Sequence, residues 1–318
     1  MARATFLLLA FAVAALMPFL LPSNYALNVG TMILFAAFLG QSWNIAGGFA
    51  GQTSFGHVVF FGTGAYASTI LQMTWGWNPW LGWVAAALAG GAVGLAIGAV
   101  AFRAGLRGSY FALITLAFAE VFRILANSAG FTRGGLGLLI TADPRAANLQ
   151  FKDPRWFYWI ALALVVVSLA IAWWLKRSRF GARLAAIREN EDAARALGID
   201  IFREKTLCLG ISGAMAGAGG TFYAQKYLYI DPSIAYGVEK SVEMLLVSMI
   251  GGAGTVFGPL VGAAVLGGVG ELTRAYATGQ GLSLVVYGAI LIVIVAWLPN
   301  GLIGLFAGRA KRRGAADA

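Results

Sequence analysis

A polar stretch of 27 residues runs from Arg179 to Lys205 and reads RFGARLAAIRENEDAARALGIDIFREK. It is the only long polar segment that separates two apolar ones. At about 100° per residue, its apolar side chains fall on one side of a helix and its charged side chains on the other. The stretch therefore predicts one short amphipathic helix over residues 181–199. Gly198 supplies its C-terminal stop signal, and the apolar side carries Leu184, Ala186, Ile187, Ala194 and Leu197.

The charged side of this helix allows two interpretations. Arg188 with Asp192, and Glu191 with Arg195, have the i,i+4 spacing that supports an isolated helix. Arginines could hold the helix on an anionic lipid leaflet. Five acidic residues dilute the basic charge, however, and this favours docking into a groove of another protein.

The composition around the stretch is that of a membrane protein. Of 318 residues, 59% are hydrophobic and 11% are charged. A water-soluble globule of this size could not cover its surface with so few charged residues. The 43 glycines lie largely within apolar runs, where small residues let helices approach closely in lipid. Soluble-enzyme, collagen-like and disordered classes are excluded. One cysteine, Cys208, excludes an internal disulfide framework and is predicted to be a packing residue.

Breaks at polar, proline or glycine residues divide the chain into ten apolar segments, several of them near the roughly 20 residues that cross a bilayer. The eighth is too short for a full span and predicts a half-helix or re-entrant piece. The first is predicted to be an uncleaved helix; a signal peptide is the alternative. The segments are 4–22, 27–46, 54–72, 79–102, 110–128, 156–175, 205–225, 240–250, 257–277 and 282–298.

The net charge of +10 would indicate nucleic-acid binding in a soluble protein. Here the basic residues cluster between the sixth and seventh segments and after the tenth, which the positive-inside rule places in the cytoplasm. Both chain termini are therefore predicted to be cytoplasmic, and no nucleic acid is expected as a partner.

Three motifs resemble those of one transporter family. Asp192-Ala193-Ala194-x-x-x-Gly198 is similar to the E-A-A-x-x-x-G coupling loop of bacterial ATP-binding-cassette (ABC) importer permeases, with Asp in place of Glu. NIAGGFAGQTSFGH at 44–57, followed by FFGTGAY, resembles a pattern of branched-chain amino acid permeases, as does GGAGTVFGP at 251–259. Together they extend over most of the chain and match permease subunits of the LivM type best.

The resemblance implies an all-α polytopic ABC importer permease of the inner membrane, formed as a single transmembrane domain over residues 1–318. The helix at 181–199 would dock on an ATPase subunit and transmit its motion to the membrane spans. The residues implied in this docking are Arg183, Ile187, Arg188, Glu189, Asp192, Ala193, Ala194, Leu197 and Gly198.

The same resemblance implies the partners of the chain. These are a homologous permease of the LivH type as heterodimer, two ATPase subunits that bind ATP and Mg, and a periplasmic amino-acid-binding protein that docks on the external loops. The chain has no Walker A motif, so it is expected to hold no catalytic site, no cofactor and no metal of its own. Branched-chain amino acids are the expected solute. Ribose-type sugars, urea or amides, and an ion-coupled secondary transporter are the alternatives.

The two glycine-rich stretches are candidates for a translocation path, because non-helical backbone at membrane depth survives only inside protein or along an aqueous cavity. Their polar groups could instead bond neighbouring helices. His57 is either a proton relay or a hydrogen-bonded structural residue. The candidate path residues are Asn44, Gly51, Gln52, Thr53, Ser54, His57, Gly251, Gly252, Gly254 and Thr255.

Two pairs of opposite charges lie inside apolar segments, each one helical turn apart: Glu120 with Arg123, and Glu271 with Arg274. A lone charge at mid-membrane costs about 2.5–3.5 kcal/mol on an insertion scale, so pairing or a wet cavity is expected. A structural or subunit-interface role is favoured over ion coupling, because an ATP-driven carrier needs no coupling ion.

Overall fold

The computed structural model describes residues 2–20, 23–276, 285, 288–289, 292 and 301–304. Over these residues the chain is an all-α polytopic membrane protein. Its helices are α1 (Ala2–Leu20), α2 (Asn24–Asn44), α3 (Val58–Trp75), α4 (Pro79–Arg103), α5 (Gly108–Ser128), α6 (Arg155–Arg177), α7 (Arg179–Glu189), α8 (Glu191–Ala196), α9 (Ile201–Tyr227), α10 (Pro232–Tyr236), α11 (Val238–Gly251) and α12 (Gly258–Tyr276).

Five of the described helices are long and apolar enough to cross a membrane: α2 with its continuation to Phe49, α4, α5, α6 and α9. α3 and α12 have the length of a span, at 18 and 19 residues, but are not among these five helices. The predicted eighth segment is confirmed as a short helix, because α11 has 14 residues. The predicted tenth segment lies largely outside the described residues.

Glycine packs the centre of the bundle, where α3, α4 and α9 meet. A methyl group at Gly64 of α3 would lie 2.2 Å from the carbonyl oxygen of Gly217 in α9. One at Gly90 of α4 would lie 2.4 Å from the carbonyl oxygen of Gly213. The three backbones therefore touch directly, which confirms close packing as one reason for the glycine content.

A second group of helices lies beside this centre: α6, α11 and α12 pack on α2, and α2 packs on α9. α5 lies at the edge, and its side chains at Leu113, Val121 and Ile124 are exposed. At one end of the bundle a two-stranded antiparallel pairing joins β1 (Leu138–Leu139) to β2 (Tyr229–Ile230), so the loops before α6 and after α9 meet.

Candidate coupling site

The polar stretch folds as two helices, which corrects the prediction of one helix over 181–199. Asn190 has an extended backbone, with φ −159° and ψ 111°, and separates α7 from α8. Its side-chain oxygen accepts hydrogen bonds from the backbone N–H groups of Asp192 and Ala193, both at 3.0 Å. Asparagine favours this capping arrangement over a helix interior, because its amide competes for backbone hydrogen bonds. Gly198 has φ +80° and ends the segment as predicted.

The apolar side of the segment is only partly as predicted. Leu184, Ile187 and Ala194 are buried inside the protein, the last two beside Ile201 of α9. Leu197, expected on the same side, is instead 80% exposed. Leu197 follows Ala196, the last residue of α8, so the predicted single-helix pattern does not extend to it.

The predicted i,i+4 ion pairs do not form: Asn190 separates Arg188 from Asp192, and Glu191 pairs with other residues instead of Arg195. The Glu191 carboxylate instead accepts from Nε of Arg107, in the α4–α5 connection, at 2.8 Å. It also pairs with Lys205 of α9, whose side chain is 2% exposed. A further ion pair joins Arg183 Nε to Glu204 Oε1 of α9 at 2.7 Å. The segment is thus fastened to α9 and to the α4–α5 connection.

The outer surface of the segment is exposed, and its one ion pair with another element joins Asp192 to Arg107 at 3.4 Å among the described residues. We call this surface the docking face; it carries charged, small and apolar side chains around the exposed Leu197. Ile187 and Ala194 are not part of it, since both are buried. The docking face consists of Glu189, Asp192, Ala193, Arg195, Leu197 and Gly198.

Both glycine-rich stretches interrupt helices at the end of the bundle that carries α7 and α8. The first break, residues 45–57, starts as a π-helical turn at Ile45–Phe49 and continues as irregular backbone, with Gly51 at φ +68°. The second break, residues 252–257, joins α11 to α12, and Gly252 and Gly254 have positive φ. These left-handed conformations suit glycine because they strain residues with a Cβ atom.

Asn44 is the last residue of α2, next to the first break, and its side chain bonds to the second break. Its Nδ2 donates to the Thr255 carbonyl at 2.9 Å, and its Oδ1 accepts from the Gly254 N–H at 2.8 Å. A methyl group at Gly48 would lie 2.0 Å from that Oδ1 and 2.3 Å from the Gly254 nitrogen, so glycine is required beside the link.

Arg188 of α7 also reaches the first break, where its Nη1 donates to the Gly48 carbonyl at 2.8 Å. The sequence predicted roles for Arg188 and Asn44 separately, and no spacing signalled that they meet the same segment of backbone.

The remaining path candidates are largely enclosed by the chain. Gln52 is buried and donates from Nε2 to the Ala50 carbonyl at 3.0 Å. Ser54 is buried, whereas Thr53 is half-buried. His57 is fully buried, with Nε2 2.7 Å from the Ser212 hydroxyl. The Gln52 bond is local, whereas the His57 contact joins the first break to α9. A path role for these residues stays a prediction.

Pairing of the charges inside the helices is confirmed. Arg123 Nε donates to Glu120 Oε2 at 2.9 Å, and Arg274 Nη1 donates to Glu271 Oε1 at 2.9 Å. Tyr25 of α2 also donates to Glu271. The Glu120–Arg123 pair lies on the edge helix α5, with side chains 48% and 37% exposed.

No cluster of three or more potential metal ligands occurs within the part of the chain that the structure describes. The Cys208 side chain is buried, and its Sγ lies 3.3 Å from the Ile45 carbonyl oxygen. It packs between α9 and the first break.

Comparison with known proteins identifies a family whose model matches most of the chain. The family model described as "Branched-chain amino acid transport system / permease component" matches residues 3–295. The high-affinity branched-chain amino acid permease protein LivM of Salmonella typhimurium is 30% identical over 94% of this chain and 74% of its own. The high-affinity branched-chain amino acid permease protein LivH of Escherichia coli K12 is 26% identical over 84% of this chain and 91% of its own.

Another relative, with lower coverage, is named as a sugar permease. The L-arabinose ABC transporter permease protein AraH of Azospirillum brasilense is 27% identical over 73% of this chain and 67% of its own. No solved structure is significantly similar to the chain.

Proposed function

The chain belongs to the permease component family of branched-chain amino acid transport systems, and on that premise we propose that it carries leucine, isoleucine and valine across the inner membrane as one subunit of an ABC importer. Partner ATPases supply the driving energy, and alternating access moves the solute.

The observation that carries this proposal is the docking face of α7 and α8. A large apolar side chain, Leu197, stands 80% exposed among charged and small residues, in a segment whose other side is fastened to α9. Exposed apolar anchors with a polar rim are typical of protein interfaces. Two ATPase subunits with bound ATP and Mg are the proposed partners, one of them on this face.

A homologous permease subunit is the second proposed partner. The same chain aligns with relatives named LivM and LivH, which is expected if two homologous subunits form the path. The Glu120–Arg123 pair faces outward from α5, and charges are expensive to expose to lipid. This face of α5 therefore fits the partner permease or the aqueous path between the two subunits.

The orientation follows from the charges. Eight arginines and lysines lie between residues 176 and 205, which places α7 and α8 in the cytoplasm. A soluble amino-acid-binding protein then docks at the opposite end, where β1 and β2 join the external loops. Tyr236, which follows β2 in the chain, does not contribute to that surface, because it is buried and stacked on Tyr66.

The test replaces Leu197 with Asp in the complete transporter. We expect the permease pair to assemble but to retain at least about tenfold less ATPase subunit, since an interface anchor is worth about 1.4 kcal/mol or more. Leucine uptake in proteoliposomes falls in parallel. Leu136→Asp is the matched control for ATPase retention alone, because Leu136 is 84% exposed in the loop between α5 and α6, beside β1 and away from the docking face. Equal ATPase retention in both variants would contradict docking on this face.

A sugar is the second candidate solute, favoured by the similarity to the L-arabinose permease protein. Competition of leucine, arabinose and short amides for uptake distinguishes the solute classes. Uptake by the chain alone under an ion gradient, without ATPases, would indicate a secondary transporter instead.

A further inference from the structure

Arg188 extends from α7 across both breaks. Its Nη1 donates to the Gly48 carbonyl in the first break at 2.8 Å. A methyl group at Gly254, in the second break, would lie 2.5 Å from the same Nη1, and one at Gly51 would lie 2.7 Å from Arg188 Cγ. The guanidinium group therefore sits where both breaks meet, and glycine at these positions leaves room for it.

This contact has no substitute nearby. Among the described residues, it is the sole hydrogen bond between the α7–α8 segment and either break. The other polar fastenings of the segment, through Arg183 and Glu191, lead to α9 and to the α4–α5 connection. α4 and α9 belong to the glycine-packed centre, where backbones touch and rearrangement is hardest.

The backbone of both breaks is suited to change its conformation when Arg188 moves. Each is irregular backbone that ends one helix and precedes another, and Asn44 holds the two together. A shift of the Gly48 carbonyl therefore passes to α2, α11 and α12 together. Hinges of this kind absorb changes in backbone angles at element ends.

We infer that Arg188 is a positioning residue that transmits movement of the docking face to the two breaks. This inference rests on the proposed function, since it assigns a route for the motion that an ATPase would impose. Arg188 carries the displacement through its bond to Gly48, and Asn44 shares it between the breaks. An arginine suits this role because one guanidinium can exchange backbone acceptors while it keeps its charge.

The first measurement compares Arg188→Ala, Arg188→Lys and unmodified transporter, reconstituted with ATPases and binding protein. We expect Arg188→Ala to retain the ATPases and hydrolyse ATP, but to move at least about tenfold less leucine per ATP, with the larger change in maximal rate rather than in KM. Arg188→Lys retains a donor for the Gly48 carbonyl. The leucine it moves per ATP therefore stays within about threefold of the value for the unmodified transporter. Arg179→Ala is the matched control, because Arg179 lies on the same helix, is exposed and has a side chain that forms no hydrogen bond to the described residues.

The second measurement follows the break itself. Ala253 is exposed in the second break, and Ala253→Cys in a Cys208→Ala background provides one site for maleimide labelling. We expect its labelling rate to differ between the nucleotide-free and ATP-bound transporter, and this difference to vanish in Arg188→Ala but to persist in Arg179→Ala. A merely structural role would leave the difference intact.

Two results with Arg188→Ala would overturn the inference: unchanged leucine moved per ATP, or a nucleotide-dependent labelling difference that survives the substitution. Failure of the proposed function has another signature, because the unmodified transporter would then show no ATP-dependent uptake. Labelling at residue 253 that is independent of nucleotide in the unmodified transporter would overturn the inference as well.

Discussion

The centre of the bundle and the coupling site are held together in opposite ways. At the centre, α3, α4 and α9 meet backbone to backbone, with Gly64 against Gly217 and Gly90 against Gly213. At the coupling site, long side chains span the gaps, as Arg188 does between α7 and Gly48. The first contact tolerates no added atom, whereas the second depends on a few exchangeable polar bonds.

This difference indicates which part moves. Direct backbone packing has one arrangement, because a displacement of either helix creates clashes or voids. A hydrogen bond from a flexible side chain to a carbonyl can lengthen, break and re-form. We therefore expect the centre to behave as a fixed frame and the breaks to move relative to it. The predictions below are ordered from the largest expected effect to the smallest.

The strongest test of the rigid centre is Gly64→Ala. Its methyl group would lie 2.2–2.6 Å from three backbone atoms of Gly217, so α3 and α9 must separate. We expect a loss of about 3 kcal/mol in the free energy of unfolding, measured by SDS titration. Gly82→Ala on α4 is the control, because its nearest contact would be 3.4 Å from Ser68 Cβ. Equal losses in both variants would mean that glycine at the centre serves helix flexibility rather than close approach.

Glu191→Ala tests how firmly the coupling segment is fastened. It removes the carboxylate that Lys205 faces, and the Lys205 side chain is 2% exposed. Because an uncompensated buried charge is costly, we expect the free energy of unfolding to fall by about 2 kcal/mol. Hydrogen exchange over residues 179–199 should become faster. A second change, Lys205→Met, should restore much of the loss. No recovery in the double variant would show that Arg107, rather than Lys205, depends on Glu191.

Asn190→Ala tests whether the Asn190 cap separates α7 from α8. The cap on the Asp192 and Ala193 N–H groups is lost, which costs about 1 kcal/mol, and α7 can continue into α8 as one helix. Hydrogen exchange at residues 190–193 reports the change. Asn190→Asp retains an acceptor oxygen and should preserve both stability and the break. An unchanged exchange pattern in Asn190→Ala would mean that packing, not the cap, separates the helices.

Arg195→Ala should have the smallest effect. Its ion pair with Asp192 spans 3.8 Å between exposed side chains, and such pairs contribute less than about 0.5 kcal/mol. SDS titration of this variant should match the unmodified protein. A larger loss would show that surface ion pairs also hold the segment.

Much of the fold was predictable, because it depends on local properties of the chain. Apolar runs of span length and the polar stretch at 179–205 marked the helices and the segment that separates α6 from α9. Pairing of Glu120 with Arg123 followed from one-turn spacing and the cost of lone charges in lipid. Periodicity failed at Asn190, where a side-chain cap outweighed the helical pattern.

The sequence by itself determined that this is a membrane permease, since composition, span length and family motifs are properties of the chain alone. The tertiary structure decided which residues meet. Arg188 and Gly48 are 140 residues apart, and Asn44 and Gly254 are 210 apart, so no periodicity relates them. Their contacts exist because glycine lets the backbones of two breaks approach to the reach of one amide and one guanidinium group.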